Sequence, residues 1–197
     1  RVRTYDADMD IMHALRWKMV DVALEILPHD EMQALNVLDL GVGTGIFARR
    51  FLETYEKSRV VAVDAAKTML ETAKIRLGAL AGRVEWVLSD FRELPANVLR
   101  PKQFDVVISS YALHHIDADE KLAVLKQVVK AMKPHGWFLN ADIITAGCKE
   151  VEERFQELRV QGVTARATRK DGRFRTPKNT RATLDKLEAD EQDQPQA

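Results

Sequence analysis

The sequence predicts an α/β fold, a doubly wound and mostly parallel sheet with helices on both faces. Three observations carry that expectation. Short apolar runs alternate with stretches of helical spacing between residues 31 and 147. The first run breaks into glycines at every second position, Gly41, Gly43 and Gly45, and the second and third runs close on acids, Asp64 and Asp90. Buried parallel strands read as continuous apolar runs and are joined by right-handed crossover helices. Ligands of such sheets bind outside the carboxyl ends of the strands, so function is expected there.

Composition bounds the rest. A chain of 197 residues, 46% of them hydrophobic, suits one domain with ample material for a core. Thirty basic residues balance thirty acidic ones, so overall charge gives no argument for a polyanionic partner. A single cysteine, Cys148, excludes an internal disulfide framework and points to a reducing compartment, the cytoplasm. No apolar run reaches the roughly 18 to 20 residues of a membrane span, and no signal-peptide pattern opens the chain. A soluble protein without a membrane span is expected.

The leading segment, residues 1–30, carries Ile11, Met12, Leu15, Met19, Val22, Ala23 and Ile26 at helical spacing, with Pro28 as the stop. One amphipathic helix over residues 9–27 is expected, either packing on the core or, with Tyr5, His13 and Trp17, forming a lid. Val37 to Leu40 reads as the first strand and Ile46 to Tyr55 as the helix after the glycine turn. Arg59 to Asp64 follows as a β-branched strand, Ala66 to Leu77 as a helix, and Val84 to Leu88 as a third strand apolar enough to be buried. Phe104 to Ser109 is the fourth strand and Asp119 to Met132 the next helix. Lys133-Pro134-His135-Gly136 is the turn that ends it before a strand over residues 137–143.

Residues 148–197 change in character. A helix is plausible over residues 151–160, after which apolar residues thin out. Nine Lys or Arg against two acids between Arg154 and Arg181 give a net of +7, and five acids against Lys186 from Ala182 onward give −4. The segment reads as a solvated, mobile polar tail, or as a basic surface for an anionic substrate or RNA. No apolar β-branched run after Thr145 supplies further strands, so the sheet is expected to end early or the chain to continue past Ala197. If the chain continues, an exposed sheet edge would be left here, favouring a homodimer, swapping or aggregation.

Alone, the glycine turn is a weak signal, shared by several nucleotide sites. Its spacing, G-x-G-x-G, departs from the dinucleotide fingerprint, which places Ile46 where a third glycine would stand. Asp64 is placed to accept from ribose hydroxyls, or simply to cap the following helix. Asp90 is placed to accept from an adenine amino group, with Phe91 offering a backbone N–H. Glycines or acids at three successive strand ends are hard to obtain from packing alone, since each leaves polar groups in need of partners.

With these motifs the chain resembles the class I S-adenosylmethionine-dependent methyltransferases, whose fold is Rossmann-like. Leu38-Asp39-Leu40-Gly41-Val42-Gly43-Thr44-Gly45 resembles their first motif, and Val61 to Asp64 with Met69-Leu70 resembles the acidic second-strand motif. Ser89-Asp90-Phe91 resembles the adenine-side motif, and Phe104 to Ser110 with Leu113-His114-His115-Ile116 the fourth-strand motif. Met132-Lys133-Pro134-His135-Gly136-Trp137 resembles the turn before the fifth strand, with His135 where a glycine is usual. The likeness spans about residues 35 to 145 and is nearest to small-molecule methyltransferases of the quinone-biosynthesis type.

The resemblance implies S-adenosylmethionine as methyl donor. Asp39 would tie down the glycine turn and orient the methionine amino group, and Gly41, Gly43 and Gly45 would admit the donor against the backbone. Asp64 would hold the ribose hydroxyls, Ala65 and Met69 would pack on adenine, and Asp90 with Phe91 would read its edge. Ser109 or Ser110 would face the methionine end. If the acceptor must lose a proton, His114, His115 and Tyr111 are the candidate bases, the two histidines otherwise being a fold-supporting pair. No spaced set of three or four ligands points to a metal. The expected activity is methyl transfer to a small molecule. The alternatives are an RNA or protein methyltransferase using residues 154–181, and a donor-binding module without catalysis.

Overall fold

The computed structural model describes residues 2–167 and 171–191. Five strands, β1 (Asn36–Leu40), β2 (Arg59–Asp64), β3 (Val84–Leu88), β4 (Phe104–Ser110) and β5 (Met132–Ala141), form one sheet in the order β3-β2-β1-β4-β5. All four pairings are parallel. The order reverses between β1 and β4, which opens a crevice at their carboxyl ends.

Alternation along each strand sorts the core into two layers. Val37, Val60, Ala62, Val106 and Ile108 face one side, packed with Phe47, Phe51 and Leu52 of α3 (Ile46–Thr54) and with Leu70 and Leu77 of α4 (Lys67–Leu77). Leu38, Leu40, Val61, Val63 and Val107 face the other, against Val124 and Val128 of α5 (Ala118–Ala131). Phe51 is fully buried and stacked on Tyr55 at 4.7 Å, so truncating it to alanine should cost about 3–5 kcal/mol. Helix α5 starts in a capping box: Glu120 N–H donates to Asp117 Oδ1 (2.8 Å) and Asp117 N–H donates to Glu120 Oε2 (3.1 Å).

Four expectations from the sequence are corrected. The leading segment is two helices, α1 (Val2–Met12) and α2 (Arg16–Glu25), and not one. At the corner between them the Arg16 guanidinium turns back to Asp6 and Asp10, and His13 leaves the helical line to lie 4.7 Å from the Tyr111 ring. Strand β3 is an edge strand and only half-buried, with Leu88 57% exposed, because it has a neighbour on one side alone.

The turn expected at residues 133–136 lies inside β5 as an irregularity, where the register moves from Phe104↔Met132 to Val106↔Trp137. Pro134 has no N–H for the ladder, and His135 takes a left-handed φ of 63°. A Cβ on Gly136 would meet the Lys133 and Asp105 carbonyl oxygens at 3.0 and 3.1 Å.

Lastly, the polar tail is helical through α6 (Lys149–Arg166) and α7 (Pro177–Glu191). Few apolar residues suffice there because they are well buried: Val160, Val163, Phe174 and Leu184 form the seam, with Thr164 and Thr180 hydroxyls 2.7 Å apart beside it. Arg166 Nε donates to the Ile11 carbonyl and Arg173 pairs with Asp8, which docks these helices on α1. Part of the basic stretch, residues 168–170, and the acidic end, residues 192–197, lie outside the described residues. No helix among the described residues is long and apolar enough to cross a membrane.

Candidate active site

A cleft of about 680 Å³ opens at the carboxyl ends of β1, β2 and β4, roofed by α1 and walled on one side by α6. Its floor is the glycine turn. Gly41, Gly43 and Gly45 take left-handed φ values of 74°, 53° and 83°. The N–H groups of Gly41 and Val42 both donate to the Val63 carbonyl at 2.9 Å, and Gly43 N–H donates to Asp64 Oδ2 at 2.8 Å. Asp64 Oδ1 accepts from Ala66 N–H at 2.8 Å, so this carboxylate fastens both the glycine turn and the residue that precedes α4. A carboxylate offers about four lone-pair sites, so two backbone bonds leave Asp64 with acceptor capacity at the cleft wall.

Asp39, expected to tie down the turn, accepts none of these N–H bonds. It is 1% exposed and its Oδ2 has no hydrogen-bond partner among the described residues. Burial, reinforced by the Asp64 charge, pushes its carboxyl up to about 8. An orphaned buried oxygen beside the turn is what a cationic amino group of a ligand would satisfy.

The three glycines divide in role. A Cβ on Gly43 would find nothing nearer than 4.0 Å, leaving its face open to a ligand. Gly45 lies away from the cleft, and a Cβ there would strike Leu77 and Ala73 of α4 at 2.8 and 2.9 Å. Its missing side chain permits close packing against α4. A Cβ on Gly41 would meet the Ala112 Cβ at 2.4 Å, so this glycine lets the turn after β4 approach.

Ala65, Met69 and Phe91 line the far end of the cleft. Asp90 lines it too, but its oxygens are taken by Arg92, through the backbone N–H at 2.8 Å and the guanidinium at 2.6 to 3.1 Å. That pairing holds the Asp90 carboxyl below the usual range, and Arg92 passes on to Glu120 at 2.9 Å. Ser109 is corrected: it is fully buried and its hydroxyl donates to the Leu40 carbonyl at 3.1 Å, stitching β4 to β1. Ser110, one residue on, is the serine that lines the cleft.

Tyr111, His114 and His115 come together at the end under α1. Tyr111 has a left-handed φ of 51°, a conformation disfavoured for an aromatic residue, and its N–H is held by the Ala141 carbonyl at 3.0 Å. Burial raises its hydroxyl first, with the Asp142 charge adding to it. His114 is buried and His115 exposed, their rings 4.0 Å apart. His13 adds a third imidazole, lowered to about 4 by burial and then by Arg159 and other cations nearby.

Two features escaped the sequence reading. Asp142, just past β5, sits 2.5 Å from His114 Nδ1, and an acid ending a further strand is the same signal that marked Asp64 and Asp90. Asp6 of α1 accepts from Thr44 Oγ1 in the glycine turn at 2.9 Å and also pairs with Arg16 and Arg76. An acid on a polar helix face gives no such signal.

Comparison with known proteins identifies the family of this fold. A model of the methyltransferase domain family matches residues 37–136. The uncharacterized methyltransferase YrrT of Bacillus subtilis is 28% identical over 162 residues, which cover 81% of this chain and 71% of its own. Malonyl-[acyl-carrier protein] O-methyltransferase 1 of Ilyobacter polytropus is 30% identical over 99 residues, covering 50% of this chain and 35% of its own. Among solved structures, Haemonchus contortus phosphoethanolamine N-methyltransferase 1, in complex with phosphoethanolamine and S-adenosylhomocysteine, superposes with a TM-score of 0.58 at 20% identity. That match covers 70% of this chain and 27% of the other. With the family model matching half of its length and the five-stranded sheet ending in a glycine-floored cleft, the chain belongs to the methyltransferase domain family and has the class I fold that uses S-adenosylmethionine.

Proposed function

We propose that the protein transfers a methyl group from S-adenosylmethionine to a small-molecule acceptor held under α1. The observation that carries this reading is a continuous cleft of about 680 Å³, lined by the glycine turn and also by Tyr5, Met9, His13 and Tyr111. That volume suits a nucleoside-sized donor with a small partner. S-adenosylmethionine supplies an electrophilic sulfonium methyl when bound. Asp39 would take the amino group of the donor, Gly43 would let it approach the backbone, Asp64 would receive the ribose hydroxyls, and Met69 and Phe91 would cover adenine. With α1 along the cleft, its residues would limit water and approach to the donor, which alignment of an in-line transfer needs.

A polyanionic acceptor is less well supported, because much of the basic segment is already engaged within the chain. Arg154 pairs with Glu157, Arg173 with Asp8 and Asp171, and Arg181 with Asp185. The Ilyobacter relative is named for O-methylation of a malonyl group carried on protein, which favours an oxygen acceptor here.

Incubation with methyl-labelled donor and a fractionated cell extract tests the reading. Label accumulating beyond one equivalent in the small-molecule fraction is the expected result. Label confined to RNA or protein would transfer the assignment to the polymer reading, and donor binding without turnover would leave only a binding module.

A further inference from the structure

We propose that a cavity of about 530 Å³ at the amino ends of β1 to β4 is a second binding site, taking a small organic dianion that carries a phosphomonoester or two carboxylates. It stands apart from the cleft. β1 is five residues long, so about 15 Å of strand separates the two ends of the sheet.

The cavity lies where one crossover carries no helix. α3 joins β1 to β2, α4 joins β2 to β3 and α5 joins β4 to β5, whereas the loop between β3 and β4 holds only a 3-10 turn, Phe91–Glu93. Leu94 and Val98 of that loop pack on the sheet, and its last residues, Arg100, Pro101 and Gln103, stand at the cavity wall. Strand alternation puts Arg59 on the same face as Val61, and Val61 pairs with Glu85 of β3.

The lining gathers charge that the whole chain does not have. Three guanidinium groups, Arg59, Arg83 and Arg100, face one carboxylate, Glu85, in a chain of zero formal charge. Arg83 is occupied: it donates to the carbonyls of Leu52, Tyr55 and Glu56 at 2.7, 3.2 and 2.6 Å, closing the end of α3. Arg59 and Arg100 have no such task. Both are exposed, and neither guanidinium meets an acid or a carbonyl among the described residues. Glu85 is exposed too and enters no ion pair among them. Gln103 adds an amide whose hydrogen bonds are incomplete, since its buried Oε1 has no donor among the described residues.

These groups define the ligand's chemistry. A guanidinium is a weakly hydrated cation whose planar fork of donors matches the oxygens of carboxylate and phosphate. Low-dielectric walls focus the field of cations that share a cavity. Two cations without partners are answered by a doubly charged group, and the volume admits an organic body with it. Val61 and Pro101 offer that body apolar contact. The site is independent of which acceptor the cleft takes.

Amide spectra of the full chain, saturated with S-adenosylhomocysteine so that the donor cradle is filled, test the site. Titration with phenyl phosphate or phthalate at low salt should move the ¹H–¹⁵N signals of Val60, Val61, Val84 and Gln103 and saturate with a Kd of about 1 mM or tighter. Neutral benzyl alcohol should leave them in place. The tighter anion assigns the natural ligand as a phosphomonoester or a dicarboxylate. Arg59→Gln and Arg100→Gln should each weaken binding about tenfold. Glu85→Gln should tighten it about twofold, a gain that loss of structure cannot imitate. Shifts confined to the cleft around Tyr111, benzyl alcohol binding as tightly as the anions, parental affinity in both arginine variants, or no saturable binding of either anion would overturn the site.

Discussion

Asp39→Asn should stabilise the donor-free protein and weaken its hold on the donor. The carboxyl is 1% exposed and is raised from 3.8 to about 8, chiefly by burial and secondarily by Asp64. At pH 7 the folded chain therefore keeps a proton that the unfolded chain has released, over a window of about three pH units, a cost of about 4 kcal/mol. Asparagine needs no proton but leaves an amide in the same poorly partnered place, returning about 1–3 kcal/mol of that gain. The net is a stabilisation of about 1–3 kcal/mol, or about 2–4 °C in Tm per kcal/mol for a chain of this size.

The sign with pH follows from linkage. The folded pKa lies above the unfolded one, so the folded state binds more protons between pH 3.8 and about 8. Asp39 thus makes the parent lose stability as pH rises through that window, by up to about 1.4 kcal/mol per unit, and the variant lacks this slope. Thermal melts from pH 5 to 8.5 measure it, with calorimetric titration of S-adenosylmethionine alongside. A variant that melts below the parent at pH 7.5 with the same slope would refute the reasoning.

Other predictions concern the turn, the roof and the imidazoles. Gly45→Ala should destabilise by about 3 kcal/mol or more through its contacts with α4, whereas Gly43→Ala should cost about 1 kcal/mol yet weaken donor affinity more; denaturant melts paired with donor titrations separate the two. Asp6→Asn removes the hub joining α1 to Thr44, Arg16 and Arg76; faster amide exchange in α1 with unchanged exchange in β1 is expected, and equal protection of α1 would refute the latch. His13 is lowered from 6.5 to about 4, so the unfolded state binds more protons between these values and stability falls as pH drops through them. His13→Asn should flatten that part of the stability profile, as denaturant midpoints at pH 4, 5 and 6.5 would show.

Much of the fold was legible because buried parallel strands announce themselves. Val37 to Leu40 and Phe104 to Ser109 carry the short, largely apolar runs that a doubly covered strand uses, bounded by turn residues. Strand β3 misled because an edge strand can be apolar without being enclosed. The helix break at His13 was illegible, since it depends on Arg16 reaching Asp6 and Asp10, contacts that periodicity does not encode. Residues 161–167 and 171–191 read as a polar tail because few apolar positions, among them Val163, Phe174 and Leu184, hold them in place.

At the site, the glycine turn and its acids could be located from the sequence, but the division of labour among them could not. Gly45 differs from Gly43 only in what stands behind it, Ala73 and Leu77. Ser109 differs from Ser110 by strand alternation, and which face each serves depends on where the strand ends. Asp142 could be suspected from its place after the fifth strand, but its bond to His114 requires β4 and β5 to be neighbours.

Calorimetric titration of the full chain with S-adenosylmethionine tests the donor cradle most directly. One binding site, abolished by Gly43→Val and by Asp39→Ala, is the predicted result. No binding, or binding that both variants retain at parental affinity, would contradict it.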